Sequence, residues 1–112
     1  MIVPAADVRI VLTTASSREE SERISRALLD QRLAACVNIV PGLTSIYRWK
    51  DEVETASEFL LLIKTTSARI ESLEAALLQL HSYQVPEVLV LTPESAGKSF
   101  LDWLVQEAAP SR

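Results

Sequence analysis

Glycine is scarce in this chain, with only Gly42 and Gly97. A loop that cradles phosphate needs several glycines at fixed spacing, so neither a Walker-type loop nor a dinucleotide-binding fingerprint is present. Cys36 is the only cysteine and His81 the only histidine. One thiol excludes an intrachain disulfide, and a chain that needs none is expected in the cytoplasm. One thiol and one imidazole are also too few for a zinc site of the usual Cys/His type within one chain. Long apolar runs are missing: the longest, FLLLI at 59–63, falls far short of the roughly 20 residues that cross a bilayer. The opening MIVPAADVRI has no basic segment and is interrupted by Asp7 and Arg9, so it reads as neither signal peptide nor membrane span. Excess positive charge is lacking too. Eleven Lys and Arg stand against 15 Asp and Glu, for a net charge of −4, with no basic block. Nucleic-acid binding draws on phosphate contacts, so that balance argues against such a partner.

What is present reads as one domain, 1–112. Apolar residues make up 48% of the chain, enough for a core without staples. DVRIVLTTA (7–15) is rich in β-branched residues and predicts a strand. Ser16 and Glu19 have the spacing of a capping box, opening a helix to about 34 with Ile24, Ala27, Leu28 and Gln31 along one side. CVNIVPGLTSIYRW (36–49) predicts a long strand bent at Pro41–Gly42, KDE (50–52) a hairpin turn, and 53–65 the return strand. Ser67 is placed to cap a helix over 68–80, striped with Ile70, Leu73, Leu77 and Leu80. EVLVLTP (87–93) predicts a short buried strand, and SFLDWLVQEA (99–108) a last helix with Phe100, Trp103 and Leu104 as its apolar contacts.

The order β-α-β-β-α-β-α is that of an α+β, ferredoxin-like βαββαβ sandwich with an extra C-terminal helix. Right-handed crossovers place both main helices on one face. FLLLI is apolar on both of its faces, whereas a strand with one wet face would alternate. The second face therefore calls for a partner subunit.

Several residues have both a structural and a chemical reading. Cys36 opens a strand and is either a small buried hydrophobe or a thiol that meets a soft metal. His81, in HSYQVPE (81–87), is a helix C-cap, a metal ligand, or a general base; a ligand needs companions, and only Cys36 and carboxylates such as Glu87 are on offer. Lys64 ends an apolar strand, where it snorkels to solvent, pairs with Glu58 or binds an anion. Tyr47 and Trp49 near the hairpin tip and Trp103 in the last helix read first as packing or interface residues. No nucleophile–base pair is legible, so no enzymatic reaction is read.

RLAACVNIVPGLTSIYRW (32–49), EFLLLIKTTSARIESLE (58–74), HSYQVPE (81–87) and FLDWL (100–104) together resemble the CutA family of divalent-cation tolerance proteins, over about residues 8 to 106. The resemblance implies a ferredoxin-like protomer and a homotrimer whose sheets meet edge to edge, similar in fold and assembly to the PII signalling proteins. It also implies a link to tolerance of copper and other divalent cations, copper binding in some members, and no accepted enzymatic activity. Matched position by position, the family's polar and aromatic residues fall on Cys36, Trp49, Glu58, Lys64, His81, Tyr83 and Glu87, which gather near clefts between subunits. Of these, His81 and Cys36 are the metal-ligand candidates. The chain departs from the family pattern at Ser82 and Gln84, where the usual motif has proline and glutamate. It also carries Thr13 and Leu80 where some members have cysteine and histidine, and Asp51 where glycine is common.

Two functions compete. One is a cytoplasmic homotrimer that answers metal ions, with weak copper binding at intersubunit clefts. The other is a PII-like sensor that holds a small metabolite or anion through Lys64, Trp49, Tyr83 and Glu58.

Overall fold

A computed structural model describes residues 1–110. Strand β1 (Ile2–Pro4) is followed by β2 (Val8–Ala15), helix α1 (Arg18–Asp30), β3 (Cys36–Trp49) and β4 (Glu52–Thr66). A 3-10 turn over Ser67–Arg69 leads into α2 (Ile70–Leu80), then β5 (Leu89–Leu91), β6 (Ser95–Gly97) and α3 (Lys98–Glu107). The main sheet is antiparallel in the order β3-β4-β2-β5, which is the ferredoxin-like order; β1 and β6 pair in a separate small sheet.

Alternation along the strands decides the layers. Val11, Thr13 and Ala15 stand opposite Ile63, Leu61 and Phe59, and Val37 and Ile39 continue those rows into β3. Ile24 and Leu28 of α1 and Leu73 and Leu77 of α2 close over this face. Each of these large side chains, fully withdrawn from water, contributes about 1.5–3 kcal/mol. Thr13, where the family resemblance raised a missing thiol, is wholly buried in this layer with its hydroxyl unpaired.

The other face carries Ile10, Leu12, Leu60, Leu62, Leu89 and Leu91. Among the described residues only one end of it is covered, where Leu104 of α3 packs on Val8 and Ala5. Leu89 and Leu91 are 54% and 46% exposed, and Phe100 and Trp103 of α3 are 47% and 43% exposed. Three expectations are corrected here. The 87–93 strand shrinks to three residues and is exposed at the sheet edge, because the chain enters it from Pro86 and leaves it before Pro93. Phe100, expected as an apolar contact of the last helix, is half exposed and packs on Trp103 with centroids 5.8 Å apart, which leaves Trp103 out of the core and its interface reading open. The N-cap of α1 is Ser17, one residue later than the Ser16/Glu19 box: its Oγ accepts from the Glu20 N–H at 3.1 Å, while the Glu20 carboxylate reaches back to Ser16.

Pro41–Gly42 makes the expected bulge. The register of β3 against β4 slips between Val40 and Leu43, and Gly42 takes φ +81°. Beyond the bulge the two strands continue as an arm to a two-residue turn in which Lys50 and Asp51 both have positive φ, the conformation of a type I′ hairpin. The second helix begins later than read from Ser67: that serine lies in the 3-10 turn, and α2 starts at Ile70 without a side-chain cap.

Candidate functional site

The chain turns away from α2 at His81, whose backbone is extended and whose N–H still closes the helix on Leu77 at 3.0 Å. The imidazole does not cap the helix. It points inward, its side chain wholly buried, and Nε2–H donates to the Thr14 carbonyl at 2.7 Å. Nδ1 accepts the Tyr83 N–H at 3.1 Å. One nitrogen donates and the other accepts, which defines a neutral tautomer with both ring nitrogens engaged.

Glu20 anchors the same segment and was not singled out by sequence reasoning. Its Oε2 accepts the Ser82 N–H at 2.8 Å and lies 3.9 Å from His81 Nδ1. Burial works to raise the Glu20 pKa, but the hydrogen bonds from Ser82 and Ser16 win and hold it below the usual carboxylate range. A signal was available: Glu20, Ile24 and Leu28 fall at i, i+4 and i+8, so this carboxylate stands on the apolar stripe.

Tyr83 carries the connection outward. Its ring lies 4.6 Å from that of His81, and its hydroxyl donates to Glu58 Oε2 at 2.6 Å. Burial first, then the hydrogen bond to Glu58, pushes the phenol well above its usual range. Glu58 is 8% exposed, and no hydrogen bond reaches its other carboxylate oxygen among the described residues. Glu87 stands across the same space. Together with Tyr47 and Trp49 of the hairpin arm and Val85 and Pro86 of the loop, these groups line an open pocket of about 620 Å³.

Burial, and then the charge of Glu58, pushes the Glu87 carboxyl above its ordinary value of 4.5. The folded chain thus holds this proton more tightly than the unfolded chain. The associated stability is present below the ordinary value and is lost as pH rises through the raised one. Glu87→Gln is accordingly expected to raise the melting midpoint by about 2 °C at pH 7 and to leave it unchanged at pH 4. Thermal scans at the two pH values check this, and an equal shift at both would contradict it.

The structure therefore brings Trp49, Glu58, Tyr83 and Glu87 to one pocket, with His81 packed behind Tyr83. Cys36 and Lys64 lie elsewhere in the protomer. They share the cross-strand row of Ile10, whereas His81 bonds to Thr14 in the row of Leu60 and Val40. Four residues separate the rows, about 13 Å along the strands, so His81 and Cys36 of one protomer do not share an ion. The Lys64 ammonium is bound by Asn38 Oδ1 at 2.5 Å and lies over the Phe100 ring at 5.8 Å. No group of three or more His, Cys, Asp or Glu with metal-binding geometry occurs among the described residues.

Residues 9–107 match the family model described as CutA1 divalent ion tolerance protein. A divalent-cation tolerance protein CutA of Thermus thermophilus is 50% identical over 95 residues, which are 85% of this chain and 92% of that protein. A solved structure of CutA from Synechococcus elongatus superposes with a TM-score of 0.93 at 35% identity, covering 97% of this chain and 96% of that one. A second structure of that protein, complexed with a Bis-Tris molecule, matches with a TM-score of 0.88 at 35% identity, covering 97% of this chain and 100% of that one. The longer mouse relative is covered over 56% of its length. A family model spanning all but the chain's ends, and a relative identical at half of the aligned positions, make the chain a member of the CutA1 divalent ion tolerance protein family.

Proposed function

We propose that the chain works as a cytosolic homotrimer in tolerance of divalent cations, with the pocket between the hairpin arm and the 81–87 loop as its ligand site. The observation that carries this reading is Glu58, a carboxylate withdrawn from bulk water that keeps one oxygen for the pocket beside Glu87. Family membership supplies the link to divalent ions. The uncovered apolar face and the short exposed edge strand β5 support assembly with further copies, and the lone free Cys36 suits a reducing compartment.

The residues that line the pocket offer oxygen donors: the Glu58 and Glu87 carboxylates, the Tyr47, Tyr83, Thr14 and Ser45 hydroxyls and the Gln84 amide. They fit a hard, hydrated divalent ion; copper prefers imidazole and thiolate. Within one protomer the donor set does not fit a tight copper site. Weak copper binding is proposed only where two subunits meet, with Cys36 as the soft donor; His81, buried with both ring nitrogens hydrogen-bonded within the protomer, is withdrawn from that role. A second reading, a PII-like sensor of a small molecule, is favoured by the size of the pocket and by the Bis-Tris molecule in the Synechococcus structure.

Calorimetric titration with zinc(II) and copper(II) tests the proposal. Zinc is expected to bind about once per protomer, and Glu58→Gln to weaken it about tenfold or more. Copper binding is expected to weaken in Cys36→Ala. Titrations that are identical in wild type, Glu58→Gln and Glu87→Gln would remove the pocket as the ion site.

A further inference from the structure

We infer that the pocket is built for an organic cation, a protonated or quaternary amine carried on a body of small-molecule size. The inference rests on the pocket being the ligand site and adds the chemical class of what fills it.

Size comes first. About 620 Å³ is the volume of an organic-ligand site, far more than one ion and its ligands need. Charge comes next. Both carboxylates of the lining stand without a basic neighbour in it, since no lysine, arginine or histidine among the described residues lines the pocket. An anion would meet Glu58 and Glu87 unscreened. The one lysine that sequence reasoning offered as an anion anchor, Lys64, is held by Asn38 and Phe100.

Glu58 gives the direction of the charge. One oxygen is tied to the Tyr83 hydroxyl, which orients the carboxylate, and the other has no hydrogen-bond partner among the described residues. The remaining oxygen can take a charge-assisted hydrogen bond from an N–H or ammonium donor held in the pocket. A metal ion would also answer that charge, but it would find no third His, Cys, Asp or Glu ligand grouped there.

The aromatic walls complete the site. Tyr47, Trp49 and Tyr83 line the pocket together with the two carboxylates, a combination of residue types that favours a cation over its neutral isostere. Trp49 already attracts a cation on the molecule itself: the Lys50 ammonium lies 5.8 Å from its ring centroid, outside the pocket lining.

The test uses the full chain and three probes that share a benzyl or phenyl ring and differ in charge: benzyltrimethylammonium, benzyl alcohol and benzoate. Binding is followed by tryptophan fluorescence and by calorimetry. Benzyltrimethylammonium is expected to bind about once per protomer and about tenfold tighter than benzyl alcohol, with benzoate weakest. Glu58→Gln is expected to weaken the cationic probe about tenfold, Trp49→Ala about fivefold, and Lys98→Ala, on the exposed start of α3, not at all. The comparison of probes on wild type needs no variant to fold. Equal binding of the alcohol and the ammonium, or tighter binding of benzoate, overturns the inference. If zinc(II) binds in a Glu58-dependent way while benzyltrimethylammonium does not, the inference falls and the pocket remains an ion site. If neither binds, the pocket reading falls with it.

Discussion

Replacing His81 with alanine is expected to destabilise the chain by about 3 kcal/mol, with little regard to any ligand. The imidazole makes two buried hydrogen bonds, Nε2–H to the Thr14 carbonyl and Nδ1 from the Tyr83 N–H. Its removal orphans an acceptor and a donor, each costing about 1–3 kcal/mol, and leaves a void behind the Tyr83 ring. For a chain of this length the midpoint should fall by roughly 15 °C. His81→Gln offers one amide N–H and one carbonyl oxygen from a longer side chain and should recover part of the loss. Calorimetric melting at matched protein concentration measures both, since the midpoint of an oligomer depends on concentration. If His81→Ala melts with the wild type but abolishes copper binding, the residue is a ligand free to turn and not the structural tie described here. A middle result is also informative. A large loss of stability together with weakened pocket binding would show that Tyr83 and Glu58 depend on His81 for their placement, as the chain of hydrogen bonds from Thr14 to Glu58 implies.

That dependence explains which parts of the molecule were legible beforehand. The long strands were, because alternation and the apolar run at 59–63 are strong local signals, and the bulge was, because Pro41–Gly42 cannot continue a regular ladder. The ferredoxin-like order followed from element order alone. The small β1–β6 sheet was not legible, since three residues on each side carry no periodicity. The cap of α1 was displaced by one residue because Ser16 and Ser17 are chemically alike, and only the geometry of Glu20 chooses between them. The site was legible in residue types and not in grouping. Glu58 and Tyr83 are 25 residues apart, yet meet at 2.6 Å, through the packing of the loop after α2 against the arm. Lys64 and Cys36 were grouped with them by resemblance, and by the readings that Lys64 pairs with Glu58 and that Cys36 joins His81. Strand register sets these two in a different row, four residues down the sheet. The role of His81 was undecidable from sequence, because its partners are a backbone carbonyl and a backbone N–H, groups that every residue carries.

The face opposite α1 and α2 yields the other large expected effect, on assembly instead of folding. Leu89 and Leu91 lie on the exposed edge strand, point to the uncovered side of the sheet beside Leu12 and Ile10, and are about half exposed in the single protomer. Glutamate at both positions should therefore cost the protomer little, since each carboxylate stays in water. In an assembly that closes this edge, the same carboxylates would be desolvated in every subunit without a cationic partner, at a cost of several kcal/mol for each. The wild type, as the proposed homotrimer, is expected to sediment at three times the mass of the 12.4 kDa chain, and the double variant Leu89→Glu/Leu91→Glu at the mass of the single chain. Its circular dichroism at low temperature should remain that of the folded chain. Retention of the wild-type mass by the variant would move the interface away from β5 and leave Phe100 and Trp103 on α3 as the next surface to charge. The two substitutions also bear on the pocket. Neither residue lines it, so a variant that is monomeric and still binds a pocket ligand as the wild type does would show that one protomer supplies the whole site. Loss of that binding on dissociation would instead show that a neighbouring subunit closes the open side of the pocket against Trp49 and Glu58.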